Sequence, residues 1–457
     1  MKPKFFTVDL FAGCGGISEG FHQAGFRTIA QVEMHHPACE TLRTRQMFYE
    51  LKKIHKLSVY NEYIRQNISK DQIFSDYPKI REAVEHRVIE ETLSAESIRP
   101  VISKINQSME FHGAPSINLF LGGPPCQPYS IINRANIQKN EKNGEKDKRN
   151  YLYTHYLELL KYFQPDVFIY ENVPGLFTAT DGGEKIFEKL LEDFSRLTPS
   201  YEIIPPLNEV SKKPHDYILN SINFGVPQNR KRLILIGFRE DLDEKNHDIR
   251  RMYERLRNKR KSIEKQKSVK DAIGDLPDLE PNTGNNKFYS EYVEKGPLTA
   301  YQKKMRKNSI GVLNHFARAH MQSDLDRYRY FIEQYENTGK SATLKDLLAD
   351  KPDLAPEHKT INNEKFVDRF KVQWWSKPAS TVTAHLSKDG HYFIHPSSEY
   401  IRSFTVREAA RCQSFPDNFF FEGPRTEQFR QVGNAVPPLL AKAIGSMVRC
   451  ELEKIYQ

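Results

Sequence analysis

The chain has 457 residues, 38% of them apolar, which leaves room for two or three domains or for one large domain with insertions. Lysine and arginine total 68 against 59 aspartates and glutamates, and the resulting net charge of +9 favours a polyanionic partner. Five scattered cysteines (Cys14, Cys39, Cys126, Cys412 and Cys450), odd in number and without a CxxC pair, support neither a disulfide framework nor a metal site, and no apolar run approaches a membrane span.

The opening residues Met1 to Asp9 reach an acid and then glycines too early for a signal-peptide core, so the expectation is a first strand of a cytoplasmic protein. Phe5 to Leu10 is β-rich, Phe11 to Gly16 is a glycine turn, and Ile17 to Ala24 has helical spacing. Strand, glycine loop and helix in that order bring backbone amides to an anionic or polar ligand. The loop reads GCGG and not GxGxxG, which argues against a nicotinamide cofactor. Thr28 to Val32 reads as a second strand ending at Glu33, an acid suited to ribose hydroxyls or, equally, to the start of a helix over His35–Arg45. Arg43 to Ser116 is charged and periodic, and reads as a mostly helical insertion.

Leu119-Phe120-Leu121-Gly122-Gly123-Pro124-Pro125-Cys126 then delivers a thiol into a stiff turn. Locally, Cys126 reads either as a positioned nucleophile or as a buried structural thiol. A basic polar loop, Asn133 to Arg149, follows, then helical spacing over Asn150–Phe163 and a strand over Asp166–Tyr170 that ends in Glu171-Asn172-Val173. An acid at the carboxyl end of such a strand lies where open α/β sheets bind ligands. Lys231 to Gly237 is a further strand, with Arg230 and Arg232 alternating by two and so sharing a face. Ile249 to Lys270 is strongly basic, and the chain from there to about Tyr392 shows no assignable fold. Thr405 to Gln413 is helix-like, and Gln431 to Pro438 leads into an amphipathic helix through Leu440, Ile444, Met447 and Val448.

Taken together, DLFAGCGG, Glu33, GGPPCQPYS, ENV, QNRKR, REAARCQSFPDNF and QVGNAVPP, in that order, resemble the C5-cytosine-specific DNA methyltransferases of type II restriction-modification systems. The resemblance covers residues 5–35, 118–180, 222–238 and 400–448. It implies a doubly wound, Rossmann-like α/β domain that uses S-adenosylmethionine and releases S-adenosylhomocysteine, with a smaller target-recognition domain. The expected division is 1–238 catalytic, with the helical insertion at 43–116, then 239–394 for target recognition and 395–457 completing the catalytic domain. The resemblance also implies double-stranded DNA as partner, a flipped target cytosine, action as a monomer on DNA in a prokaryotic or phage setting, and a cognate restriction endonuclease.

The chemistry explains the residue types. Cytosine C5 attacks a methyl donor poorly until a thiolate adds at C6, and the resemblance gives that step to Cys126. Glu171 would hold N3 and the exocyclic amine, Arg232 the cytosine O2, and Arg230 would support the site. Gln127, Ser130, Arg149, Asn172 and Gln228 would contact the substrate. For the cofactor, Phe11 would stack on the adenine, the loop of Gly13, Cys14 and Gly15 would approach the amino-acid part, and Glu33 would take the ribose hydroxyls. Asp9, Met34, Gly123, Pro125, Leu152, Asn434 and Ala435 would line the rest, with the last helix packed beside the first glycine loop. The family's acid after the third strand has no clear counterpart in the sequence, and the nearest stretch, Tyr60 to Ile64, puts Tyr63 in its place. A tRNA cytosine-5 methyltransferase and a non-catalytic DNA-binding regulator are the rival readings. The long basic region speaks against the first, and intact Cys126, Glu171 and Arg232 against the second.

Overall fold

The computed structural model describes residues 4–124, 152–181, 184–203, 205–206, 213–245, 254, 258, 266–281, 283, 288–357 and 369–456. Cys126, Pro125, Gln127, Ser130 and Arg149 lie outside these residues, as do the loop at 133–149 and most of the basic segment at 249–270.

Strand β1 (Phe6–Leu10), helix α1 (Gly16–Gln23) and strand β2 (Arg27–Glu33) open the chain. Helices α2 (His36–Lys53), α3 (Leu57–Ile64), α4 (Lys70–Asp76) and α5 (Pro78–Arg87) lead to strand β3 (Val88–Glu90). Helix α6 (Ile98–His112), strand β4 (Leu119–Gly122), helix α7 (Leu152–Phe163) and strand β5 (Val167–Asn172) follow. Helix α8 (Ile186–Ser195), strands β6 (Tyr201–Ile203) and β7 (Ile218–Asn220), and the long strand β8 (Lys231–Arg239) complete the sheet.

Its order is β3-β2-β1-β4-β5-β8-β6, with β7 also on β8. The pairings from β3 through β5 are parallel, and β8 runs antiparallel to β5, β6 and β7. The winding direction reverses between β1 and β4, so the ligand crevice of such a sheet opens at their carboxyl ends. Those ends carry Phe11 to Gly15 and Gly122 to Pro124.

Period-two alternation divides the strands between two cores, which is why they read as continuous apolar runs. Phe120 and Phe168 join Tyr156, Leu160 and Phe194 on one face. Leu119, Leu121, Val167 and Ile169 join Phe21, Leu440 and Ile444 on the other. The first of these helices to meet the last is α1, where glycine permits contact. A Cβ on Gly20 would lie 2.4 Å from Ala441 Cβ, and one on Gly16 would lie 2.4 Å from Val436 O. Helix α15 (Pro438–Ile455) therefore packs beside the first glycine loop.

The stretch 43–116 is helical in the main, but it is not only an insertion. It supplies β3 and the crossover helix α6, so the sheet cannot be completed without it. Tyr60 to Ile64 lies on α3, away from any strand end, which corrects the placing of Tyr63 at the third-strand acid position. The acids at the end of the third strand are Glu90, its last residue, and Glu91, which follows it.

Beyond β8, helices α9 (Val269–Ile273), α10 (Ala300–Arg306), α11 (Gln322–Thr338) and α12 (Leu344–Asp350) surround short bridges and turns. Helix α13 (Val406–Cys412) starts at a capping box, Thr405 with Glu408, and is followed by α14 (Arg425–Asn434). Tyr328, Phe331, Phe370 and Ile394 form a separate apolar cluster in this half. No helix among the described residues is long and apolar enough to cross a membrane.

Candidate active site

The crevice begins where β1 ends. Phe11 has φ +55°, Gly13 +54° and Gly15 +85°, so the loop turns through left-handed backbone that favours glycine at two of the three positions. Glu33, at the end of β2, caps this loop: Oε2 accepts from Gly13 N–H at 2.8 Å, and Oε1 accepts from the N–H groups of Met34 and His35 at 2.9 Å. A Cβ on Gly13 would meet nothing within 4 Å, which leaves open space over the loop. Met34 is 52% exposed beside it, and Asn434 is exposed at the end of α14, adjoining the buried Ala435. Leu152 is half-buried at the start of α7.

Below the loop, Asp9 is fully buried and accepts a hydrogen bond from the Ser18 hydroxyl, while Ser18 Oγ accepts from Gln31 Nε2 at 3.0 Å. Burial, with the nearby Glu33 charge adding, pushes the Asp9 carboxyl up to about 7. Its Oδ1 has no hydrogen-bond partner among the described residues. Cys14 turns its thiol away, donating to Gln431 O at 3.5 Å, and burial raises it far above the ordinary thiol value. A cofactor contact by Cys14 is thus left to its main chain.

On the other side of the switch point, Gly122 and Gly123 let β4 close tightly on its neighbours. A Cβ on Gly122 would sit 2.2 Å from Leu10 O, and one on Gly123 would sit 2.1 Å from Glu171 O and 3.0 Å from Glu171 Oε2. Asn172 Nδ2 donates to Pro124 O at 3.5 Å. Asn172 is buried and turned to this backbone, where it braces the turn.

Glu171 pairs with Arg232, Nε to Oε1, at 2.7 Å, with side-chain exposures of 15% and 10%. Burial raises the Glu171 carboxyl above its usual range, and Arg232 and Arg230 oppose that shift. The carboxyl is thereby held nearer to a proton-donating state than an exposed glutamate.

Arg230 and Gln228 do different work. Residues 227–230 run beside 379–382: Ala379 N–H donates to Pro227 O, Asn229 N–H donates to Ala379 O, each at 2.9 Å, and Thr381 Oγ1 donates to Asn229 O at 2.7 Å. Val382 is held at both ends, its N–H by Gln228 Oε1 at 2.9 Å and its carbonyl by Arg230 Nη1. Gln228 Nε2 also donates to Cys412 O at 3.2 Å, and Arg230 Nη2 to Gly433 O at 2.9 Å. Both residues are fully buried, and these hydrogen bonds are spent on the backbone of the ladder. Burial without a bonded carboxylate pushes the Arg230 guanidinium well down.

Two features escaped the reading of the sequence. One is this ladder, whose halves are some 150 residues apart and leave no local signal. The other is the acid pair at the end of β3. Glu90 pairs with His36 and Arg43, and Glu91 donates its N–H to Glu33 O at 2.9 Å and pairs with Lys104 at 3.0 Å. The run Val88-Ile89-Glu90-Glu91 after a helix was the available signal.

A crevice at the switch point, an acid-capped glycine loop and a buried Glu–Arg pair define an α/β enzyme that works on a bound organic ligand. The C-5 cytosine-specific DNA methylase family matches residues 5–73 and 87–450. A type II methyltransferase of Bacillus paralicheniformis, M.Bpa9945I, is 39% identical over 97% of this chain and 98% of its own length. Another, M.DdeI of Desulfomicrobium norvegicum, is 30% identical over 98% of this chain and 89% of its own. Among solved structures, a prophage-encoded E. coli protein described as a candidate DNA modification methyltransferase shares the fold, with a TM-score of 0.59 at 22% identity over 98% of this chain and 99% of its own. The chain belongs to the C-5 cytosine-specific DNA methylase family, and its activity is that of a DNA (cytosine-5-)-methyltransferase.

Proposed function

We propose that the protein methylates cytosine at C5 in a specific duplex site, with S-adenosylmethionine as donor, as the protective half of a restriction-modification system. The observation that carries this reading is the buried Glu171–Arg232 pair directly beside Gly123, three residues before Cys126. A cytosine placed there meets a carboxyl able to donate to N3 and a guanidinium able to donate to O2, while Cys126 adds to C6.

The crevice suits the cofactor. Gly13 opens space over the loop, Glu33 offers carboxylate oxygens, and Met34 and Asn434 present exposed side chains. When bound, S-adenosylmethionine supplies the methyl group. Glu33 would hold the ribose, Phe11 the adenine face, Gly15, Gly123, Pro125, Leu152 and Ala435 the walls, and Glu91, in place of Tyr63, the adenine amine. Asp9 is suited to the cationic end. Gln127, Ser130 and Arg149 would touch the DNA near the flipped base. We assign residues 1–238 and 395–457 to catalysis and 239–394 to target recognition, with the enzyme acting as a monomer on DNA inside the cell and partnered by a cognate endonuclease.

Duplex DNA carrying 5-fluorocytosine tests the mechanism, because fluorine at C5 blocks the final elimination. Incubated with S-adenosylmethionine, the protein is expected to form a covalent adduct that Cys126→Ala abolishes. An adduct that survives in Cys126→Ala, or none with the unaltered chain, would refute it.

A further inference from the structure

Arg425 opens helix α14 as a half-buried guanidinium whose one partner among the described residues is the Phe316 ring, 5.8 Å away. A cation at the amino end of a helix faces the positive pole of the helix dipole, the less favourable end. Arg318 lies against the same helix, 5.0 Å over the Phe429 ring, and is only 7% exposed. Its Nη1 and Nη2 donate to Lys388 O and Leu386 O at 3.1 and 2.9 Å, and its buried Nε has no hydrogen-bond partner among the described residues. Among the described residues no carboxylate forms an ion pair with either arginine, although the Asp389 charge acts on Arg318 from nearby. Burial holds both guanidinium groups below the ordinary value, and the Arg425 charge adds to the effect on Arg318.

His385 and Lys388 belong to the segment whose carbonyls Arg318 holds. They stand three apart, with His385 inside the 3₁₀ turn Ala384–Ser387 and Lys388 just after it, and both are exposed. The nearby acids are already engaged: Asp389 with Arg369 at 3.0 Å and Glu427 with Arg430 at 2.6 Å. Partly desolvated cations that repel one another are costly unless an anion completes them.

We propose that Arg425, Arg318 and Lys388 form a cradle for one backbone phosphate of the duplex, outside the catalytic pocket. This rests on the reading of duplex DNA as substrate. The phosphate is a positioning contact: Arg318 holds the carbonyls of Leu386 and Lys388, in the segment that begins at Val382. Gln228 and Arg230 in turn tie Val382 to the strand of Arg232. A phosphate bound at the cradle would therefore set the duplex in register with the pocket.

The test is the salt dependence of duplex binding by Arg425→Gln, Lys388→Gln and the charge-retaining Arg425→Lys, in the full chain, beside S-adenosylmethionine binding by calorimetry. Each Gln variant is expected to raise Kd for the specific duplex about tenfold, the order of one lost charged hydrogen bond. The slope of log K against log salt should fall by about 0.9, one phosphate contact. Arg425→Lys should keep the slope, and cofactor affinity should not change. Duplex affinity and slope unaltered in Arg425→Gln would overturn the cradle and leave the methyltransferase reading standing. A loss of cofactor binding would assign Arg425 to the cofactor crevice or the fold and also overturn it. Failure of the unaltered chain to bind duplex DNA at all would overturn both readings.

Discussion

Replacing Glu171 by Gln keeps the shape of the side chain and removes its charge and its proton. Arg232 then stays about 10% exposed with its 2.7 Å partner neutralised. Breaking one side of a buried ion pair costs about 3–5 kcal/mol, and the residual exposure of the pair places this case near the lower end. Unfolding entropy of about 2.1 cal/mol/K per residue gives about 1 kcal/mol/K for a chain of this length, so Tm should drop by about 3 °C. The chain stays folded, because domain stabilities run to about 5–15 kcal/mol. Chemistry should suffer more, since losing a positioned proton donor lowers rates by about 10²- to 10⁴-fold. Single-turnover methylation with saturating duplex and cofactor reads the second effect, and a thermal melt reads the first. The pH profile separates the two. Burial raises the Glu171 carboxyl, so the native rate should fall as pH rises through that raised value, while the Gln variant should lose this limb. A Gln variant with the native rate and the native pH profile would refute the role given to Glu171.

Asp9 makes a stability prediction with a definite sign. Its carboxyl moves from 3.8 to about 7 on folding, so the folded chain binds the proton more tightly and stability falls as pH rises from about 4 to 7. Asp9→Asn should flatten that decline in chemical denaturation at fixed pH values, and an unchanged slope would contradict the burial argument. A cationic cofactor over the loop should bind more tightly as pH rises through about 7, where the folded chain ionises Asp9, readable by calorimetry. Gly123→Ala would set a Cβ 2.1 Å from Glu171 O, a rigid strand carbonyl. Displacing β4 from β5 there should cost about 1–3 kcal/mol and remove most activity, whereas full activity in a methylation assay would show that the turn can move.

The elements legible in the sequence are those whose signal is local. Strands buried on both faces must be apolar along their whole length, so β1, β4, β5 and β8 could be read from composition, and the glycine loop and Glu33 followed from where β1 and β2 end. The doubly wound fold came with the family resemblance, and the switch point between β1 and β4 with the order of the sheet. Strand β3 was lost because three residues between long charged helices carry too little periodicity to register, and the acid position was sought at Tyr63 as a result. What only the tertiary structure decided depends on partners far away in the chain. Gln228, expected at the substrate, and Arg230, expected to support the site, carry no local sign of the hydrogen bonds that reach Val382, Cys412 and Gly433. Cys14 sits in the loop motif, yet its thiol faces Gln431. Arg318 and Arg425, more than a hundred residues apart in the chain, each meet a ring from the other's segment, Phe429 and Phe316. Residue type and order record which chemistry a chain can perform, but whether a polar group meets substrate or backbone depends on desolvation and on the nearest partner, and folding alone sets both.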